Sequence, residues 1–313
     1  MRGPWCVLAA ALALTACATA PPANPTVQIT AVPVPLNPAD PAQDRVSGFV
    51  YAGGVQLTAV ASQRLHGLSD LKITPDGRLT AIGDEGDFLT ARLNLDAAGR
   101  LTGIKDVRLS RLTAEDGAPL SDKFEADAEG LAFLPGGDRL VSFEHHHRIL
   151  NYPARGGPPS AAPMPNETFA PNEGLEALAP LPWVAPDAYV TGAETSGRTW
   201  VCRLSAACAP GTPADLPPAA GLVAIAPMPD GRTAWLMRAW SPALGNRVTL
   251  SFRDANNAEL DRMYLADPLT VDNFEGVAIL PGPHGTLRFY ILSDDNFSPT
   301  QRTLLLAFDW TRP

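Results

Sequence analysis

Short apolar runs alternate with clusters of turn residues along most of the chain. Five segments share one pattern: a glycine, an apolar run, a Pro/Gly/Asp turn, and a second apolar run. They are "HGLSDLKITPDGRLTAIGDEG" from His66, "EGLAFLPGGDRLVSFEHH" from Glu129, "EGLEALAPLPWVAPDAYVTGAETS" from Glu173, "AGLVAIAPMPDGRTAWLMRAW" from Ala220 and "EGVAILPGPHGTLRFYILSDDN" from Glu275. Between them lie further runs rich in Val, Leu, Thr and aromatic residues, such as "FLTARLNLD", "LTGIKDVRLSRL", "NRVTLSFRD" and "LDRMYLAD". Short β-branched or aromatic runs bounded by turn residues read as strands. Helical periodicity is scarce, and 32 prolines in 313 residues oppose long helices.

The glycines that mark the segments are Gly67, Gly130, Gly174, Gly221 and Gly276, at intervals of 63, 44, 47 and 55 residues. Four strands per repeat at such a period describe the blades of a β-propeller, an all-β fold. No interval holds two ordinary four-stranded blades, so five blades are expected, with six as the alternative. A two-sheet sandwich is the architectural rival, but it gives no reason for the recurrence. The last repeat has three strands before the chain ends, and "VSGFVYAGGVQLTAV" at residues 46–60 supplies a fourth. That strand would join both ends of the chain in one blade and remove a free sheet edge.

The first 45 residues have a different composition. Arg2, a short apolar run and then small residues make residues 1–16 a secretory signal, too short to span a bilayer. "LTAC", Leu14 to Cys17, resembles a bacterial lipobox, whose cysteine becomes a lipidated first residue. An ordinary signal peptide cut after Ala18 or Ala20 is the alternative. Residues 17–45 then form a proline-rich tether, with seven prolines from Pro21 to Pro41. The folded domain is expected over 46–313. These features place the protein in the bacterial cell envelope, facing the periplasm, and Ala18 after the cysteine points to the outer membrane. Cys202 and Cys208, six apart across a turn, are expected to form a disulfide in that oxidising compartment, the alternative being two buried thiols.

Net charge is −9, which argues against nucleic acid because phosphate binding needs a basic face. The acids recur with the blades. One set opens the first strand of a repeat: Glu129, Glu173 and Glu275, with His66 and Ala220 in the other two places, and with Asp127, Glu176 and Asp272 close by. A second set ends the next strand: Asp84, Glu144, Glu194 and Asp294, with Arg238 in the fourth repeat. In a propeller the first strand lines the channel, and its antiparallel neighbour returns to the same face. Both sets should meet at one mouth.

Carboxylates gathered there repel unless protons or a cation compensate. Asp84, Asp127, Glu129, Glu173, Glu176, Glu194, Glu275 and Asp294 are thus candidate ligands for a divalent cation, Ca²⁺ first and Mg²⁺ or Mn²⁺ next. The plain alternative is that each acid caps a turn. Arg148, Arg238 and Arg302 would orient an anionic substrate group. Among His145, His146 and His147, strand alternation would put the outer two on one face, and His147 joins Glu144 as a candidate proton acceptor. Solvated turn histidines are the plain reading. Signatures of a serine nucleophile, a zinc helix, a phosphate loop or a dinucleotide fold are missing.

"DAEGLAFLPGGDRLVSFEHHHRI", "NEGLEALAPL" and "NFEGVAIL…YILSDDNFSPTQRTLLLAFDW" resemble the phytase-like family of exported bacterial proteins, named for an esterase-like activity of phytase. The likeness covers most of the folded region, and the "SDDNFS…QRTLLLAFD" ending is its most specific part. It implies a propeller and an ester or phosphate-ester hydrolase acting on a small anionic or ester substrate. The positions it carries over are Asp127, Glu129, Glu144, Arg148, Glu173, Glu176, Glu275, Asp294, Asp295, Asn296, Gln301 and Arg302. The three histidines and the proline-rich spacers at 158–171 and 210–218 depart from it. A lipid-anchored, non-catalytic binding module using the same mouth is the competing expectation, and the oligomeric state is left open.

Overall fold

The computed structural model describes residues 26–311 except 60, 61, 63, 121 and 229. The leader and Cys17 lie outside the described residues. Among the described residues the chain forms five antiparallel four-stranded blades. Blade 1 comprises Leu68–Ile73, Arg78–Gly83, Asp87–Leu95 and Leu101–Arg111, and blade 2 comprises Ala128–Phe133, Arg139–Phe143, Arg148–Tyr152 and Ser160–Ala162. Blade 3 comprises Leu175–Pro180, Ala188–Ala193, Thr199–Arg203 and Ala206–Pro210, and blade 4 comprises Ala220–Pro227, Thr233–Ser241, Gly245–Arg253 and Glu259–Leu265. Blade 5 takes Asn273–Pro281, Leu287–Asp294 and Leu304–Trp310 from the end of the chain and Phe49–Thr58 from its beginning. The first strands of successive blades touch in a closed circuit, blade 5 meeting blade 1. The five-bladed ring and its joined ends follow the sequence expectation. The sandwich does not occur.

Each gap between neighbouring blades holds an apolar cluster, so every sheet is covered on both faces. This explains why the strands read as apolar runs rather than clean alternations. The gap between blades 4 and 5 is filled by aromatic rings, with Phe252 stacked on Trp310 at 4.4 Å and on Phe49 at 5.3 Å. Toward the axis the blades converge and side chains shrink. A Cβ on Gly130 would lie 2.4 Å from the Glu176 carbonyl oxygen of the next inner strand. Blade 1 departs from this rule with Asp70, which accepts bonds from Lys72 Nζ at 2.7 Å and from the Leu131 N–H of blade 2 at 2.8 Å. Burial raises the Asp70 pKa to about 6, against the pull of Lys72.

One boundary differs from expectation. Thr30–Pro33, inside the expected tether, pairs with Thr58 through Val55 as an extra edge strand on blade 5, and Leu36 is buried. The folded unit therefore begins ahead of Val46. Apolar residues at alternate positions of "VQITAVPVPL" suffice for an edge strand, where proline is tolerated. Among the described residues, no helix is long and apolar enough to cross a membrane.

Cys202 and Cys208 form the expected disulfide, closing the outer hairpin of blade 3. Replacing both with serine should cost about 2 kcal/mol, the scale for so short a loop. Urea denaturation of the oxidised protein and the variant checks this. An unchanged midpoint would show that the hairpin is held by its strand pairing alone.

Candidate functional site

A β-bulge recurs at one place in every blade and aims the chemistry. The register of the first strand slips between Leu68 and Asp70, Ala128 and Gly130, Leu175 and Ala177, Leu222 and Ala224, and Phe274 and Gly276. The residue inside each slip has no ladder partner, and a bulge of this kind re-aims its side chain. Those residues are Ser69, Glu129, Glu176, Val223 and Glu275. The second strand returns to the same face and brings Asp84, Glu144, Glu194, Arg238 and Asp294 there in equivalent register, the strand of blade 4 running on to Ser241. A cavity of about 250 Å³ opens there, lined by Ser69, Asp84, Lys123, Asp127, Glu129, Glu144, His145, Asn172, Glu176, Glu275, Asp294 and Asn296.

The first ring corrects the sequence reading in three blades. Glu173 is exposed, ahead of its strand, and Glu176 takes the equivalent of Glu129. Ser69 and Val223 hold the places given to His66 and Ala220. The slip is three residues in each case. A better marker was present, since a proline follows six positions after every bulge residue: Pro75, Pro135, Pro182, Pro229 and Pro281.

The histidines occupy the turn between the second and third strands of blade 2, so strand alternation does not apply to them. His145, with φ of 53°, turns its Nε2 toward Asp127 Oδ2 at 3.0 Å. His146 pairs with Glu125, and His147 reaches the Ala170 carbonyl at 3.0 Å and packs on Phe169, away from the mouth. His145, not His147, is therefore the histidine of the site. Asp127, Glu144 and His145 bring ligand atoms within 4.8 Å of one another and could hold a metal ion.

The arginines separate in the same way. Arg238 enters the mouth and lies 3.3 Å from both Glu194 and Glu275. Arg148 binds Glu125 and covers the Phe143 ring, outside the cavity. Arg302 pairs with Asp272 at 3.0 Å in a neighbouring, larger cavity between blades 4 and 5. Asp295 is held by His66 at 2.6 Å and by Thr303.

Lys123 was not anticipated. It lies on a one-turn helix, Lys123–Ala126, in the connection between blades 1 and 2, capped by Asp122 accepting from the Phe124 N–H. Its ammonium bridges Asp127 at 2.6 Å and Asp84 at 2.8 Å. The Lys-to-Asp spacing of four was the available signal.

The mouth thus gathers eight carboxylates (Asp84, Asp127, Glu129, Glu144, Glu176, Glu194, Glu275 and Asp294) around two permanent cations, Lys123 and Arg238. Burial, then repulsion from Glu176, Asp127, Glu275 and Glu144, raises the pKa of Glu129 well above its ordinary value. Burial and Glu194 do the same to Glu176 despite Arg238. Burial lifts Glu275 to about 8 and Asp294 to about 7, and it lifts Asp84 to about 6 against the bond from Lys123. One oxygen of Asp84, Oδ1, is buried with no hydrogen-bond partner. An orphaned carboxylate oxygen beside surplus negative charge suits a bound cation.

A family model described as phytase-like, esterase-like activity of phytase, matches residues 63–297. Among curated proteins none matches the chain. Among solved structures the chain is similar to a streptogramin B lyase, with 10% identity, a TM-score of 0.45, and 84% of this chain and 97% of that one covered. It is also similar to a putative gluconolactonase, at 12% identity and TM-score 0.49, covering 92% of this chain and 90% of that one. A virginiamycin B lyase from Staphylococcus aureus gives 11% and 0.45, covering 91% of this chain and all of that one. Likeness at these identities concerns the fold alone, and the propeller rests on the strand topology itself.

Proposed function

The chain belongs to the phytase-like family, and from that premise we propose that it hydrolyses an ester or phosphate ester at the acidic mouth, with a divalent cation bound there. The observation that carries this reading is the charge surplus: seven carboxylates line a cavity with Lys123 as the one permanent cation of its lining. Arg238, paired with Glu275 and with Glu194 beside it, is the other permanent cation at the mouth among the described residues.

Asp127, Glu144 and His145 would hold an ion on one side of the mouth, and Asp84 has a buried oxygen without a hydrogen-bond partner, packed against Gly67. Glu129, Glu176, Glu275 and Asp294 offer oxygens only, the ligand type of Ca²⁺. The imidazole in the first group departs from the all-oxygen set of Ca²⁺ and suits a transition ion such as Zn²⁺ there. When bound, such an ion polarises an ester oxygen and acidifies water. Where the ion is held by the carboxylates alone, His145, oriented by Asp127, is the candidate proton acceptor and not a ligand. Arg238 is tied to two acids, so its contribution is to hold Glu194 and Glu275 in place, and an anionic group would reach it only by displacing one of them. Export through the leader and lipidation at Cys17 remain part of this proposal, with the protein at the envelope membrane facing the periplasm.

The test is a panel of phosphomonoesters, phytate and short acyl esters, with EDTA, Ca²⁺, Mg²⁺, Mn²⁺ or Zn²⁺, run beside calorimetric titration of each ion. Turnover should require one of the ions and fall about 10²-fold or more in Glu129→Gln/Glu275→Gln, the scale for charged groups around a reacting centre. Ion binding and ester binding without turnover would instead make this a binding module. No ion binding in the wild-type protein would sink both readings of the acids.

A further inference from the structure

The course of the N-terminal strap fixes which face of the propeller an upstream anchor can hold to a membrane. Thr26 bridges Arg108, and the Val27 N–H donates to the Val107 carbonyl at 2.9 Å, both on the outer strand of blade 1. That strand runs from Leu101 toward the mouth face, where the Leu112 N–H bonds the Gly86 carbonyl beside Asp84. The bridge places Thr26, the first described residue, three residues from the mouth-side end of that strand at Arg111. Thr30 pairs with Thr58, again the mouth-side end of its partner strand, and the strap then follows the edge of blade 5 until the Leu36 carbonyl accepts from Thr270, in the mouth-side connection that leads into blade 5.

Eight residues separate Cys17 from Thr26, three of them proline. Fully extended they reach roughly 30 Å. Thr26 lies three residues, about 10 Å, from the mouth-side end of the outer strand and seven residues, about 23 Å, from its other end. The opposite face would therefore take up most of the tether's reach and the mouth face only a third of it.

The mouth face also has the rim a lipid surface accepts. Phe124, Trp240, Leu244 and Phe297 are 55%, 58%, 63% and 47% exposed, on three separate mouth-side connections. Phe124 lies over His145 and His146, and Phe297 lies against His66, so both rings are supported from below. Tryptophan is favoured at headgroup depth, and Trp, Phe and Leu together form the apolar faces that bury at the boundary of headgroups and acyl chains. The mouth carboxylates are buried or half-buried beneath this rim, so apolar groups meet the lipid first. We infer that the mouth face rests on the bilayer that holds Cys17, its cavity opening toward the lipid headgroups through the rim of Phe124, Trp240, Leu244 and Phe297. This rests on the lipid anchor proposed above.

The orientation can be tested apart from the anchor. With Cys202 and Cys208 joined, Cys17 is the one free thiol of a chain beginning there. It can be coupled to a maleimide lipid in phosphatidylcholine vesicles whose acyl chains carry bromine, a short-range quencher of tryptophan. Coupling should quench the emission, Trp240→Phe should remove most of that quenching, and Trp183→Phe, on the opposite face, should retain it. Both tryptophans are exposed, so neither variant endangers the fold, and circular dichroism verifies this. Quenching that is absent, that persists in Trp240→Phe, or that disappears in Trp183→Phe overturns the orientation. The mass of the N-terminal peptide from the cells' membrane fraction judges the anchor separately, and an unmodified Cys17 there overturns the natural apposition whatever the vesicles show.

Discussion

Replacing Arg238 with methionine should destabilise the metal-free protein at pH 9, above the values of about 8 and 7 for Glu275 and Asp294, by about 3 kcal/mol or more, the scale for removing one partner of a buried ion pair. The guanidinium is only 20% exposed and lies 3.3 Å from Glu194 and Glu275. Burial works against its charge, but Glu275, Glu176, Glu194 and Asp294 together overcome this and raise its pKa. Methionine keeps most of the volume and removes the charge, so the loss reports the stranded acids and not a cavity. If that account is right, the double variant Arg238→Met/Glu275→Gln should recover at least about 1 kcal/mol, because interacting neighbours do not add. Urea unfolding of the wild type, both single variants and the double variant measures the cycle. A methionine variant within about 0.5 kcal/mol of wild type would mean that the acids already carry protons and have no need of Arg238.

That dependence is partly legible in the sequence. Arg238 stands where the other second strands end in an acid, and the substitution of sign is visible from the repeat. The second ring reads correctly because each ring residue pairs beside the start of the first strand, where the antiparallel return brings it whatever the length of the turn. The first ring slips because glycine serves two purposes. Gly130 and Gly276 lie within a ladder where a Cβ would strike the neighbouring inner strand, whereas at Gly174 and Gly221 a Cβ would meet the Glu144 or Glu194 side chain of the preceding blade. Aligning all of them as one position puts Glu173 in a place that belongs to Glu176. Lys123 and His145 are harder to see. Each lies in a connection whose backbone is irregular, with His145 in the left-handed region, and strand periodicity says nothing about where such side chains point. Arg148 and Arg302 follow acids in the sequence, but both find closer carboxylates, Glu125 and Asp272, outside the mouth.

The same excess of acids predicts an inverted pH profile. Without metal, the protein should be more stable at pH 5 than at pH 8, by a few kcal/mol, since each tenfold gain in proton affinity on folding is worth about 1.4 kcal/mol. The pKa of Glu275 rises from an ordinary 4.5 to about 8, that of Asp294 from 3.8 to about 7, and that of Asp84 from 3.8 to about 6, each chiefly through burial. A raised value means that the folded protein holds protons the unfolded chain has released. Its contribution is complete below the unfolded value, near pH 4, and is lost as pH rises through the folded values between 6 and 8. Asp187 is shifted the other way, to about 2 by its bond from Ser205, so its contribution disappears only in stronger acid. A divalent cation replaces those protons, so Ca²⁺ or Mn²⁺ should stabilise far more at pH 8 than at pH 5, and its binding should release protons. Thermal melts in EDTA and in saturating cation from pH 5 to 8.5 provide the measurement. A profile in EDTA that stays flat or rises with pH would show that the mouth acids are ionised and satisfied by the protein alone, and the case for a cation at that site would fail with it.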